Sequence, residues 1–146
     1  MKICIVSSCG GHLAEVRQLR SAYERHAHFY VLNDRANLPD DMCGRTYFIT
    51  HSERDWRTLL NLWEAWRIIR RERPDVFLST GAGPIVPFAV LARLLRRRVL
   101  VVETATRVQE PSLTGRLMYR LAHVFMYQWP ALQRFFPRGR YVGLLF

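Results

Sequence analysis

The feature that most constrains the fold is an apolar run that ends in a glycine turn, after which a helix begins. Positions 2–6 read KICIV and positions 7–11 read SSCGG, followed directly by His12. Adjacent glycines let backbone N–H groups approach a ligand closely, and the N-terminus of a helix adds partial positive charge. The turn therefore predicts a site for a phosphate or diphosphate, with His12 at its mouth as a group that can transfer a proton.

A second turn of the same design lies near the middle of the chain. Positions 78–84 read LSTGAGP, so an apolar run again ends in glycines and a proline starts the next helix. Turns at the carboxyl ends of neighbouring parallel strands face one crevice. The pair predicts a shared binding site, although each turn alone also fits a tight connection that binds nothing. Neither turn carries the full dinucleotide fingerprint or a P-loop lysine.

Apolar runs and helical patterns alternate along the whole chain. The predicted strands are 2–7, 28–32, 46–50, 75–80, 99–103, 124–129 and 140–144. The predicted helices are 12–25, 53–72, 84–97 and 113–122, with a short one at 130–135. Continuous apolar strands are typical of a parallel sheet covered on both faces. The expected fold is a Rossmann-like, open parallel α/β sheet, and 146 residues suffice for one such domain.

The charge balance narrows the classes of partner. The net charge is +10, and Lys2 is the one lysine among 22 basic residues. Such a surface attracts phosphates of nucleic acid, anionic lipid or nucleotide-sugar. The tryptophans fit no RNA-binding motif, so we predict no nucleic-acid partner. The three cysteines, at positions 4, 9 and 43, are odd in number and have no metal-ligand spacing, which predicts a reducing compartment and no metal site. We also expect no cofactor.

Two segments are candidates for contact with a membrane surface. Positions 84–97 are apolar almost all round and end in arginines, but no segment reaches the ~20 apolar residues that a span needs. The predicted contacts are Phe88, Leu91, Leu95, Arg96, Arg97 and Arg98. Positions 53–72 carry tryptophans at helical spacing beside arginines. Packing into the protein core is the alternative explanation for the apolar residues of both segments.

A carboxylate is predicted at the same sheet edge as the two turns. Glu103 follows an apolar strand and is followed by Thr104, Thr106 and Arg107. It can bind a sugar hydroxyl or hold the arginine, and a plain Glu103–Arg107 ion pair is the alternative. Asp34 and Arg35 follow the second predicted strand and are weaker candidates for this edge.

Three ordered motifs resemble those of one protein family. They are SSCGGHL at 7–13, RPDVFLSTGAGP at 73–84 and VVETATR at 101–107. The chain resembles the acceptor-side subunit of two-part glycosyltransferases. The eukaryotic member anchors the UDP-N-acetylglucosamine transferase that adds the second sugar to dolichol-linked oligosaccharide, and bacterial members act in exopolysaccharide and capsule assembly. The first turn is also similar to that of the peptidoglycan N-acetylglucosaminyltransferase.

The resemblance implies a GT-B N-terminal half-domain over residues 1–146. This half would bind a polyprenyl-diphosphate-linked sugar acceptor, and a separate donor-binding subunit would supply the C-terminal half and the UDP-sugar. The implied catalytic residues are His12 and Glu103. The implied diphosphate-binding residues are Ser8, Gly10, Gly11, Thr80, Gly81, Gly83 and Arg107.

The sequence departs from the eukaryotic pattern in lacking an initial membrane-spanning helix. We therefore expect peripheral attachment to an anionic membrane surface, at the cytoplasmic face of the inner membrane. Two other functions stay open. One is a stand-alone Rossmann-like nucleotide- or NAD-binding protein, and the other is a non-catalytic membrane-recruitment module in which His12 and Glu103 are dispensable.

Overall fold

A computed structural model describes residues 1–33, 42, 45–50 and 57–145. Its strands are β1 (Lys2–Ser7), β2 (Ala27–Leu32), β3 (Thr46–Phe48), β4 (Val76–Ser79), β5 (Arg98–Val102), β6 (Val124–Tyr127) and β7 (Arg140–Tyr141). Its helices are α1 (Gly11–Gln18), α2 (Arg20–Tyr23), α3 (Arg57–Glu72), α4 (Ile85–Leu94) and α5 (Leu113–Leu121), and a 3-10 helix covers Pro130–Arg134. Asp34 and Arg35 lie outside the described residues.

The seven strands form one sheet in the order β3-β2-β1-β4-β5-β6-β7, and every neighbouring pair is parallel. The chain moves outward from β1 through β2 to β3, then returns to β4 on the other side of β1. Ile3 pairs with His28 of β2 and with Val76 of β4. The order therefore reverses between β1 and β4, which is where open α/β sheets form a ligand crevice at the carboxyl ends of their strands. The predicted Rossmann-like sheet is confirmed.

Two hydrophobic clusters cover the two faces of the sheet. One is built under α3, α4, α5 and the 3-10 helix, and includes Phe77, Phe88 and Phe136. The other lies under α1 and α2 and includes Ile5 and Tyr23. Burial of such side chains contributes roughly 1.5–3 kcal/mol each, so both glycine turns are mounted on well-packed strands.

The elements end slightly differently from the prediction. The expected helix 12–25 is two helices, because the Leu19 N–H bonds the Val16 carbonyl in a tight turn that separates α1 from α2. Strand β7 is only two residues long, since it pairs with β6 only at Met126 and Tyr127. Strand length here follows from backbone pairing to a neighbour, which the apolar pattern does not report.

Helix α4 packs into the core more deeply than the membrane prediction requires. Phe88 is 0% and Leu91 8% exposed, and both belong to the cluster under α3 and α4. The prediction that these two residues contact a membrane is wrong, because they already fill the space between the helix and the sheet. The exposed apolar residues of this segment are Val90, Leu94 and Leu95. Arg96 and Arg98 are exposed, whereas Arg97 is half-buried and pairs with Asp75 at 3.4 Å.

Helix α3 turns its tryptophans outward. Its core side chains include Ala65, Ile68 and Ile69, whereas Trp63 is 57% and Trp66 38% exposed. Arg67 and Arg70 lie over the two indole rings, at 4.7 and 5.3 Å from the ring centroids. The structure thus contradicts a core-facing tryptophan stripe at these positions. No helix among the described residues is both long and apolar enough to cross a membrane.

Candidate functional site

Three loops meet at the carboxyl edge of the sheet, where β1, β4 and β5 end side by side. The first loop is 8–10, the second 80–84 and the third 103–107. Each corresponds to one of the three sequence motifs. Hydrogen bonds between these loops and α1 position the side chains of the site.

His12 and Thr80 join the first loop to the second through two reciprocal hydrogen bonds. The Thr80 hydroxyl donates to the His12 carbonyl at 2.9 Å. Nδ1 of His12 lies 2.9 Å from the Thr80 carbonyl oxygen. A carbonyl only accepts, so Nδ1 carries the ring proton, and in a neutral ring Nε2 is then the unprotonated nitrogen. The structure thus presents His12, 30% exposed at its side chain, in the tautomer that leaves Nε2 available as a base.

Glu15 joins α1 to the third loop. Its Oε1 accepts hydrogen bonds from the Thr104 hydroxyl and from the Ala105 N–H, both at 2.8 Å. The side chain is buried, and Oε2 lies 3.9 Å from Nδ1 of His12. Glu15 was not among the site residues predicted from the sequence. The sequence signal that could have identified it is its spacing from His12, because residues three apart on a helix share a face.

Gly81 completes the contacts between the loops. It has a φ of +86°, a backbone conformation that residues other than glycine rarely adopt. A Cβ at this position would lie 3.6 Å from the Thr104 nitrogen and from the Val102 carbonyl oxygen. Gly81 therefore lies beside the end of β5 and the start of the third loop. Gly81 is buried, so its predicted contact with a diphosphate does not match its position. Gly83, two residues later, is exposed and can make that contact.

The predicted diphosphate-binding residues fall into two groups. Gly10, Gly11, Gly83 and Arg107 are exposed at the crevice edge, and Ser8 is half-buried there. Thr80 is 0% exposed and its hydroxyl is bonded to His12, so the prediction that Thr80 binds the ligand does not match its position. Thr80 instead holds His12. The exposed group forms a surface of backbone N–H groups and one guanidinium that suits an anion.

Glu103 lies beneath the surface rather than in the crevice. It is 0% exposed, and neither carboxylate oxygen has a hydrogen-bond partner in the structure. Burial raises the pKa of the carboxyl, and nearby dipoles of Ser112 and Thr104 together with the charge of Arg107 offset this only in part. No Glu103–Arg107 ion pair is formed between these two described residues. The predicted direct catalytic contact of Glu103 is therefore not seen, because the side chain is sealed under the third loop.

Gly115, on the first turn of α5, explains how the carboxyl fits there. A Cβ at Gly115 would lie 1.4 Å from Oε2 of Glu103, so the glycine provides the space that the carboxyl occupies. The Ser112 hydroxyl caps the same helix by accepting from the Gly115 N–H at 2.8 Å. Glu103 thus packs against the N-terminal turn of α5 and fixes that helix relative to β5.

Glu103→Gln is expected to raise stability at neutral pH and to leave turnover close to that of the wild type. An acid whose pKa is raised in the folded state binds more protons when folded than when unfolded. The wild type therefore loses stability as the pH rises from about 4.5, the usual pKa of a glutamate, through the higher pKa of Glu103 in the folded protein. Glutamine removes that loss. Melting temperatures of both proteins between pH 4 and pH 8 should diverge with rising pH. A variant that is folded but inactive would restore the catalytic role.

The sequence of the chain is similar to those of proteins of oligosaccharide biosynthesis. Residues 44–145 match the family described as oligosaccharide biosynthesis protein Alg14 like. The chain is 29% identical over 180 residues to the human UDP-N-acetylglucosamine transferase subunit ALG14, covering 98% of this chain and 82% of that protein. It is also 38% identical over 74 residues to the pyrophosphoryl-undecaprenol N-acetylglucosamine transferase of Nitrosospira multiformis, covering 51% of this chain and 20% of that enzyme.

Solved structures support the fold alone. The sheet superposes on Acinetobacter baumannii MurG with a TM-score of 0.77 at 18% identity, covering 97% of this chain and 44% of MurG. The UDP-GlcNAc 2-epimerase of Methanocaldococcus jannaschii, in complex with UDP-GlcNAc and UDP, gives 0.75 at 16% identity, with 94% of this chain and 43% of that chain covered. This chain spans less than half of either protein, as one half of a GT-B fold does. The family match covers well over half of the sequence, so the chain belongs to the Alg14-like family of oligosaccharide biosynthesis proteins and is a glycosyltransferase subunit.

Proposed function

We propose that this chain is the acceptor-binding subunit of a UDP-sugar-dependent transferase, acting on a polyprenyl-diphosphate-linked sugar in bacterial exopolysaccharide or capsule assembly. The observation that carries the proposal is the 2.9 Å contact between Nδ1 of His12 and the Thr80 carbonyl, which leaves Nε2 free to act as a base at the N-terminus of α1, beside an exposed glycine turn. That arrangement offers a base next to a diphosphate site. The match to a bacterial undecaprenol-linked sugar transferase supports a polyprenyl acceptor.

The UDP-sugar would be held by a second subunit. The chain corresponds to less than half of the structure of MurG, and its described part forms one parallel sheet. A donor-binding subunit with the C-terminal GT-B half would close over the carboxyl edge of the sheet. The curated mammalian relatives, which are named as transferase subunits, support such an assembly.

The proposed reaction uses the loops as follows. The acceptor diphosphate would lie against the backbone of Gly10 and Gly11, with the Arg107 guanidinium beside it. The acceptor hydroxyl oxygen forms a bond to the anomeric carbon of the donor sugar, the bond from that carbon to UDP breaks, and the hydroxyl proton passes to Nε2 of His12. General-base catalysis of this kind contributes roughly 10²–10⁴-fold.

An acceptor titration tests the proposed diphosphate site. Gly11→Val and Gly83→Val are expected to weaken binding of a short-chain polyprenyl-diphosphate N-acetylglucosamine at least about tenfold. A Cβ added at either glycine would meet nothing within 4 Å, and neither glycine has a φ in the left-handed range, so both variants should fold. Ala14→Val, at an exposed position of α1, is the matched control. Unchanged affinity in both folded variants, or tight binding of UDP or NAD instead, would contradict the proposal.

Membrane contact is proposed for the joint surface of α3 and α4. These helices pack on the same face of the sheet and expose Trp63, Trp66 and Leu94, the last of them 74% exposed. Arginines border this apolar surface at Arg67 and Arg70 and beyond the end of α4. Interfacial tryptophans with flanking cations are typical of peripheral binding to anionic lipid. The cytoplasmic face of the inner membrane is part of this proposal.

Removing two border arginines should weaken vesicle binding. Each headgroup-facing arginine contributes about 1 kcal/mol, so Arg96→Ser with Arg98→Ser is expected to lower affinity for phosphatidylglycerol vesicles about thirtyfold at low salt. Arg17→Ser with Arg25→Ser removes the same charge from exposed positions near α1 and α2, on the other face of the sheet, and should have little effect. Co-sedimentation measures both. Equal losses in the two double variants would show that net charge, and not this surface, governs binding.

A further inference from the structure

Glu15 is a buried carboxylate to which the proposed reaction gives no role. It is 3% exposed, one turn after His12 on α1. Its Oε1 holds the third loop through Thr104 and Ala105, which lie 89 and 90 residues away in sequence. An ionised carboxylate is costly to bury unless its oxygens are well partnered. The two donors to Oε1 satisfy only one of the two carboxylate oxygens.

The second carboxylate oxygen, Oε2, lies near the ring of His12. Oε2 is buried without a hydrogen-bond partner and lies 3.9 Å from Nδ1 of His12. That nitrogen carries a proton, because it donates to the Thr80 carbonyl. A negative oxygen beside a ring N–H stabilises the proton on that nitrogen, as a buried carboxylate does for histidine bases in general.

We propose that Glu15 is a positioning residue for the reaction proposed above. One of its oxygens fixes the third loop beside α1. The other keeps His12 in the Nδ1–H tautomer, so that Nε2 remains the proton acceptor. The catalytic consequence rests on the proposed function, whereas the tautomer is a property of this chain by itself.

Glu15→Gln separates the two tasks. The glutamine oxygen can still accept from Thr104 and Ala105, but its amide N–H groups replace Oε2 and face the Nδ1–H of His12. Two donors in that position repel, so the Nδ1–H population of His12 should fall while the Ala105 amide keeps its protection from hydrogen exchange. Ring ¹⁵N chemical shifts of the full chain measure the tautomer, with the His12 signals assigned from a His12→Asn variant.

Glu24→Gln is the matched control, since Glu24 is an exposed glutamate that pairs with Arg20. It should leave the His12 tautomer unchanged. If Glu15→Gln does not fold, Glu15→Asp replaces it, because the shorter carboxylate cannot reach both the loop and the ring. A folded Glu15 variant that retains the wild-type tautomer would overturn the inference.

Activity provides a second readout in the assembled transferase. Glu15→Gln is expected to lower kcat at least about tenfold and to change the acceptor KM less than about twofold, since the tautomer affects proton transfer and not diphosphate binding. A purely structural role would lower the amount of folded protein without this division. If the assembly transfers no sugar at all, the proposed function fails, and the tautomer measurement still decides the role of Glu15.

Discussion

Replacing His12 with alanine is expected to lower turnover of the assembled transferase by roughly 10²–10⁴-fold. The loss corresponds to about 2.7–5.5 kcal/mol of transition-state stabilisation. It should fall mainly on kcat, because Nε2 is proposed to accept the proton of the acceptor hydroxyl as the new glycosidic bond forms. Steady-state kinetics with a lipid-linked acceptor and circular dichroism of the same preparation provide the measurement.

Two further variants define what the loss means. His12→Asn retains an N–H donor in place of Nδ1, so it can keep the bond to the Thr80 carbonyl while lacking a base. It should be as inactive as His12→Ala but closer to the wild type in stability. His26→Ala alters an exposed histidine just before β2, at the opposite edge of the sheet, and should be fully active. Wild-type turnover in a folded His12→Ala complex would contradict the proposed role of His12 as the base.

The second large effect is expected from reconstitution. The chain alone should transfer no measurable sugar, because it forms one parallel sheet that matches less than half of MurG, and the donor half of the GT-B fold is proposed to lie on another subunit. Adding the donor-binding subunit should raise transfer from UDP-sugar to a polyprenyl-diphosphate acceptor from background to an enzymatic rate, which typically is about 1–10³ per second.

The design of that experiment decides between the functions left open by the sequence. Each subunit is assayed alone, then both together, then the donor-binding subunit with the His12→Ala chain. A membrane-recruitment module predicts that the last mixture is as active as the wild type. Turnover by the purified chain without a partner would contradict the two-subunit proposal outright.

The sheet and its crevice could be predicted because the responsible signals are local. Each long strand is visible in the sequence as an apolar run, and each glycine turn follows a strand at once, as at Gly10 and Gly81. Parallel order then places the turns at one edge without any knowledge of tertiary contacts. His12 could be placed at the site for the same reason.

The side-chain environment at that edge could not be predicted, because it depends on contacts between distant segments. The sequence pattern places Glu103 in the crevice, but the space left by Gly115 accommodates it under the third loop. Apolar residues of α4 and tryptophans of α3 have equivalent patterns in the sequence. Only packing shows that Phe88 points into the core while Trp63 points to solvent.

The bonds between the loops also set the order in which the site can form during folding. His12 and Thr80 are 68 residues apart, and Glu15 and Thr104 are 89 apart. Closing segments of that length carries a large entropic cost before any contact is gained, and parallel sheets are slow to form for this reason. A nascent chain released before β5 therefore has the whole first glycine loop but nothing to hold Oε1 of Glu15. We expect the contacts between the loops to form only when the central strands pair, so amide protection at Ala105 should develop together with that of the central strands and not before them.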